Sequence, residues 1–249
     1  MSVRTTRPAA APRRAAALLA LGALAYTAWV LELVIATGLD PVRAYVSELA
    51  AADQPLGGLF RATDLAAGLL VLAGALTALT TGGRRPWTTV GWSALALFGA
   101  ATALDSRLPL SCAPTADPVC AARETAGLVP ATHTAHAVSS TLAMLGALAA
   151  LVLLTAAARR HGHWPALARL GPPLVLAEAA ATTWTLAEVA ALTEGGDTWA
   201  LGVGQRLQVL LVALYLTLLA GCLARTGPHP APSARAARPV RAVRSGGER

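Results

Sequence analysis

Lysine is absent from this 249-residue chain: all 20 basic residues are arginine. Charge of either sign is scarce, at 13% of residues against about 25% in an ordinary soluble domain. Three cysteines are too few for a disulfide-dense secreted scaffold. There is no Walker A loop, no GxGxxG in a βαβ setting and no CxxC pair, which removes the common phosphate-cradling, dinucleotide-binding and thiol-redox readings. What remains is apolar, with 55% hydrophobic residues and a mean hydropathy of +0.55. That excludes a disordered chain. So long a chain with so little polar surface has lipid, not water, as its main solvent.

A helix needs about 20 mostly apolar residues to cross a bilayer core of about 30 Å. Six stretches qualify: residues 15–38, 58–81, 87–104, 130–157, 170–192 and 200–223. The first is about as long as a full span and ends without an A-x-A site, so it reads as a retained helix and not a cleaved signal peptide. Trp87, Trp164 and Trp199 fall near span ends, where interfacial aromatics belong, while Trp29, Trp92 and Trp184 read as packing residues.

The arginines sort by loop. Fifteen, among them Arg13, Arg14, Arg84, Arg85, Arg159, Arg160 and Arg225, fall on one side of the predicted spans. Five fall on the other: Arg43, Arg61, Arg107, Arg123 and Arg206. The positive-inside rule then puts both termini in the cytoplasm of a bacterial plasma membrane. Basic residues that mark alternate loops form no single stripe, so nucleic acid is not an expected partner; membrane lipids are.

Eleven of the 13 acidic residues fall in the outer loops or the outer halves of the helices. Ionisable groups inside a membrane are expensive and by default mark a functional or tightly paired interior site. Glu32 lies six residues before the outer end of the first span, and Arg61 and Asp64 form an i, i+3 pair on the second. Asp105 closes the third, His133 and His136 open the fourth and precede Ser139 and Ser140, Glu188 lies on the fifth, and Gln205 and Arg206 open the sixth. The expectation is one outward-facing cavity lined by Asp64, Asp105, His133, His136 and Arg206, with Glu32, Arg61 and Ser47 beside it. The bland alternative is a closed network in which the carboxylates neutralise Arg61 and Arg206 and only fix helix packing. His133 and His136 share a helix face and, with Asp105, have the types of a zinc-binding His/His/carboxylate set. Cys112 and Cys120 share an outer loop and are expected to form a disulfide closing a short ring; Cys222 reads as an apolar filler.

These residues resemble a six-helix prokaryotic membrane family known as domain of unknown function 998, over residues 15–223. The carriers are Tyr45-Val46-Ser47-Glu48-Leu49 after the first span, Asp64, Asp105 and the His133/His136 pair. The family often ends its third helix in a Phe-Pro-x-Asp-like turn, whereas this chain has Thr102-Ala103-Leu104-Asp105. The resemblance implies six helices and a shared polar site, with no established activity. A fainter likeness, in chemistry alone, is to membrane hydrolases of the alkaline ceramidase and progestin-receptor-like group. These gather Ser, Asp and His around zinc, but use H-x-x-x-H late in a seven-helix chain.

The fold class that follows is an all-α, six-transmembrane-helix bundle. A cytoplasmic N-terminus (1–14) precedes one membrane domain (15–224) and a Pro/Arg-rich cytoplasmic tail (225–249) expected to be disordered. Three function classes remain: binding of a lipid or small amphiphile in the polar pocket, metal-dependent hydrolysis through His133, His136 and Asp105, and a structural or partner-binding subunit.

Overall fold

A computed structural model describes residues 10–82, 85–194 and 199–225. The expected disordered tail, together with Arg4, Arg7, Arg84 and Asp197, lies outside the described residues. Those residues are helical with no strand. The helices are α1 (Ala10–Tyr26), α2 (Gly57–Thr81), α3 (Pro86–Asp105), the short α4 (Pro118–Thr125), α5 (Ala131–His161), α6 (Pro165–Thr193) and α7 (Leu201–Ala224). Six of them, with α1 counted through Leu33, are long and apolar enough to cross a membrane. In lipid the backbone has no water to bond, so Ala/Leu-rich runs that satisfy every N–H and C=O internally become helices.

Punctuation in the sequence sets the ends. Pro86, Pro118 and Pro165 each sit in the first turn of a helix, where proline costs no hydrogen bond. Gly162 ends α5 in the left-handed conformation at φ 64°. This stop carries α5 four residues past the expected end, and Pro165 starts α6 five residues early.

The first span departs from expectation more. Its α-helix stops at Tyr26 and a tighter 3-10 segment, Ala28–Leu33, continues it. There the bonding changes to i→i+3, with the N–H of Val30 donating to the Thr27 carbonyl at 3.0 Å. This winding takes Glu32 to the beginning of α7. The stretch 41–52, which has helical periodicity, folds instead as tight turns around a 3-10 segment, Val46–Ala50.

Packing follows chain order: α1 on α2, α2 on α3, α3 on α5, α5 on α6, α6 on α7, and α7 back on α1. The long helices thus close into a ring. Small residues draw its walls together. A Cβ on Gly99 would lie 2.5 Å from the Leu72 backbone nitrogen, and one on Gly68 would lie 2.4 Å from that of Ala103. The α2 and α3 backbones therefore touch, as small residues permit between membrane helices.

The ring is filled unevenly. Toward the face that carries both termini, Leu19, Leu95, Leu151, Leu154, Leu167, Tyr215, Leu216 and Leu219 form a dry core. Outside it, Leu24, Val34, Leu69, Leu145 and Leu176 are exposed, as lipid-facing positions are. Toward the far face the ring interior turns polar, beneath two loops.

Those loops are tied to each other. Cys112 and Cys120 are joined by a disulfide, with Cα atoms 6.0 Å apart. It staples the chain ahead of α4, whose N-cap Asp117 accepts a bond from the Val119 N–H at 2.9 Å. The Ala52 N–H donates to the Leu110 carbonyl across the two loops at 2.8 Å.

Candidate functional site

The polar half of the ring encloses a cavity of about 140 Å³ at the far face. Tyr26 and Trp29 line it from the end of α1, Ser47 and Leu49 from the 3-10 segment, and Phe60 and Asp64 from α2. Thr102 and Asp105 come from α3, Ser140 and Met144 from α5, and Gln205 and Gln208 from α7. The Gly68/Gly99 contact explains how the two carboxylates come to share it. Asp64 lies about one turn before Gly68 on α2, and Asp105 closes α3, so the crossing brings both acids to the same end.

The two carboxylates differ. Asp105 is held: the Ser139 hydroxyl donates to it, Ser140 Oγ lies 3.1 and 3.0 Å from its two oxygens, and His136 Nδ1 lies 3.1 Å from Oδ1. Asp64 is half-buried in the wall and makes no hydrogen bond or ion pair among the described residues.

His136 Nδ1 faces two acceptors, the Leu108 carbonyl at 3.1 Å and Asp105, so it carries the hydrogen. Its Nε2 is 3.3 Å from Ser140 Oγ, whose hydroxyl donates to Asp105. His133 is arranged in the opposite sense. The Ser111 backbone N–H points at its Nδ1 from 3.1 Å and Ser111 Oγ lies 2.9 Å away, so Nδ1 is the acceptor. Its Nε2 faces Glu124 at 3.5 Å. His133 therefore anchors the disulfide loop and is not part of the cavity wall. The two histidines share a helix face but serve different partners, and the expected His133/His136/Asp105 set is not assembled. Among the described residues no three His, Cys, Asp or Glu side chains are grouped to hold a metal ion.

Arg206 also lies outside the cavity wall. Its Nε and Nη2 donate to the two oxygens of Glu32 at 2.5 and 2.6 Å, and Nη1 donates to the carbonyls of Ala44 and Gly202 at 2.8 and 3.1 Å. The pair is a closed clamp between the end of the first span, the following loop and α7. Arg61 finds no carboxylate; its Nη1 donates to the Ala50 and Ala51 carbonyls at 2.7 and 3.0 Å, closing the end of the 3-10 segment. Glu188, expected in the same polar layer, instead accepts from the Trp199 N–H at 3.1 Å. The expected cluster is therefore dispersed: a cavity with Asp64, Asp105 and Ser47, an adjoining His136/Ser140 contact, a separate Glu32–Arg206 clamp, His133 at the disulfide loop and Arg61 at the end of the 3-10 segment.

Several residues take roles that the sequence did not assign to them. Gln208 accepts from Thr185 at 2.6 Å and donates to Thr182 at 2.9 Å, which is how α6 supports the cavity without lining it. Gln205 accepts from the Val46 N–H at 2.9 Å and holds the 3-10 segment over the opening. Trp29 lines the cavity and is more than a packing residue. Glu48 is fully buried and accepts from Thr115, through the backbone N–H at 2.8 Å and through the hydroxyl. Burial pushes its carboxyl above the usual range and the nearby Glu124 adds to the rise, while the Thr115 bonds oppose it. Its signal in the sequence was a lone acid inside an apolar-flanked loop.

A model of the family described as "Protein of unknown function (DUF998)" matches residues 15–221. No curated protein matches the chain, and no solved structure does.

Proposed function

The chain belongs to the DUF998 family, and from the chemistry of its cavity we propose that it binds a lipid or small amphiphile whose polar end is cationic. The observation that carries this is Asp64, a carboxylate in the cavity wall with no hydrogen-bond or ion-pair partner among the described residues. Asp105 adds a second carboxylate, and Tyr26, Trp29 and Phe60 add aromatic faces, while no arginine lines the space. Carboxylates and aromatic rings around one hollow suit an ammonium group, through charge and cation–π attraction. A volume of about 140 Å³ accepts a headgroup, not a whole lipid, so the apolar part extends toward the membrane. In this reading the protein sits in a bacterial plasma membrane with the cavity facing outward, as the arginine distribution implies.

The test is binding of dodecyltrimethylammonium against dodecyl sulfate, followed by thermal unfolding of purified protein in a neutral detergent. Selective stabilisation by the cation, weakened about tenfold in Asp64→Asn, supports the proposal. Equal response to both, or an unchanged response in Asp64→Asn, refutes it.

A hydrolytic reading is favoured by one observation. Ser140 Oγ, on the cavity wall, lies 3.3 Å from His136 Nε2, and His136 Nδ1 faces Asp105. Turning the Ser140 hydroxyl from Asp105, to which it donates, toward His136 would give the hydroxyl, imidazole and carboxylate order that activates a serine nucleophile. Labelling of Ser140 by a fluorophosphonate, abolished in His136→Gln, is its signature.

A further inference from the structure

We propose that the terminus-bearing face holds a second site, independent of the first, which binds a phosphate group. A cavity of about 350 Å³ opens there, between the start of α1, the end of α2, the start of α3 and the turn that joins α5 to α6. Polar side chains line it at Thr81, Arg85, Thr88, His163 and Trp164, and of these the Thr81 hydroxyl is already spent on the Thr77 carbonyl at 2.6 Å. Thr88 is only 8% exposed, and its Oγ1 has no hydrogen-bond partner among the described residues. Neither has the buried Nδ1 of His163 nor the buried Nε1 of Trp164. Buried polar atoms are nearly always satisfied, so three unsatisfied ones around a single hollow point to a ligand.

The chemistry of the atoms selects the ligand. The indole N–H and the guanidinium donate and never accept, and the threonine hydroxyl is free to donate. No carboxylate lines the space, and Arg85 is its charged residue. A group that meets several donors from different directions and carries negative charge is a phosphate, with its several acceptor oxygens. The remaining wall, including Ala78 and Trp92, is apolar and suits an acyl or prenyl chain attached to that phosphate.

The backbone gives a second, independent indication. Trp164 has φ 57° and ψ 64°, the left-handed region that a bulky residue rarely adopts. It is the one non-glycine residue with positive φ among those described. Its ring meets Trp92 edge-on with centroids 6.1 Å apart and His163 at 4.3 Å. Strain of this kind collects at ligand clamps, and here it sits in the cavity wall.

The experiment titrates purified full-length protein in neutral detergent with short-chain phosphatidic acid, with phosphatidylcholine of equal chain length, and with inorganic phosphate. Native mass spectrometry and thermal unfolding read the binding. Phosphatidic acid is expected to bind saturably, and Arg85→Gln and Thr88→Val each to weaken it about tenfold. Thr88→Ser keeps the hydroxyl and restores binding, and Asp64→Asn, at the opposite end, leaves it unchanged. If Thr88→Val unfolds, Arg85→Gln, altered at an exposed position, carries the test. Displacement of phosphatidic acid by inorganic phosphate assigns the site to a soluble phosphate, and resistance to it assigns the site to a lipid headgroup. Phosphatidylcholine, whose choline suits the Asp64 cavity, is compared in the Asp64→Asn protein; equal binding there, or unaltered binding in Arg85→Gln, overturns the proposal.

Discussion

Arg206 and Glu32, 174 residues apart in the chain, share a bidentate ion pair almost sealed from solvent, beside the far-face cavity and not inside it. Removing one partner strands a buried charge, so Arg206→Ala or Glu32→Ala should cost about 3–5 kcal/mol. The double variant Glu32→Gln/Arg206→Met should recover most of that. Denaturation in mixed micelles measures all three, and additive losses in the double variant would contradict a coupled pair.

Glu48 predicts a pH effect with a definite sign. Its folded-state carboxyl titrates above the ordinary value of about 4.3, so the native state binds more protons than the unfolded state in that range. Stability from this group is complete below the unfolded value and is lost as pH rises through the folded one. Glu48→Gln keeps an acceptor for the Thr115 N–H and removes the titration. Its stability relative to the parent chain should therefore increase as pH rises above about 4. A parallel pair of stability curves would show that Glu48 ionises freely.

The Gly99 position tests how α2 and α3 hold the two acids together. A Cβ there meets the Leu72 backbone at 2.5 Å, which no rotamer change relieves. Gly99→Ala should destabilise by about 1–3 kcal/mol, as overpacking does. It should also weaken cation binding at Asp64, while Gly221→Ala, with open space around it, should do neither.

The loop disulfide gives a labelling pattern. Cys112 and Cys120 should resist alkylation until reduced, whereas the labelling of Cys222 should not change with reductant. The Cys112→Ser/Cys120→Ser variant should lose about 2–3 kcal/mol on the loop-entropy model and loosen the Glu48–Thr115 tie. Free labelling in oxidising medium would contradict the bond.

Orientation is a separate prediction from the arginine distribution. Reporter fusions after Arg85 and after Arg160 should read as cytoplasmic, and a fusion after Pro114 as external. The reverse pattern would turn the Asp64 cavity toward the cytoplasm and leave its chemistry intact.

The spans were legible because hydropathy and length decide them, and five of the six expected stretches start and stop within a few residues of a helix. The first is a span too, but its α-helix gives way to 3-10 winding after Tyr26, on the segment where Glu32 meets Arg206 far along the chain, and hydropathy carries no sign of that. Asp64 and Asp105 were readable as pocket residues since a carboxylate near a helix end has few inexpensive places to go. His133 and Arg206 carried the same signal, yet a backbone N–H at Ser111 and a glutamate at position 32 claimed them. Sequence periodicity gives the depth of a polar side chain in a helix; it does not say which of several partners at that depth will hold it. Gln208 was unreadable for a related reason: an uncharged amide in an apolar run resembles a tolerated impurity until Thr182 and Thr185 are seen to saturate it.

The dry half of the ring makes the far-face cavity a well with a floor. Phe98, Leu151, Tyr215 and Leu216 close the bundle axis beneath it, and the Tyr215 hydroxyl is spent on the Leu151 carbonyl at 3.2 Å. With that core packed across the axis, a guest bound at Asp64 as proposed would depart by the mouth it entered. Traffic through the protein would require the helices themselves to part, and in this packing each face communicates only with its own leaflet.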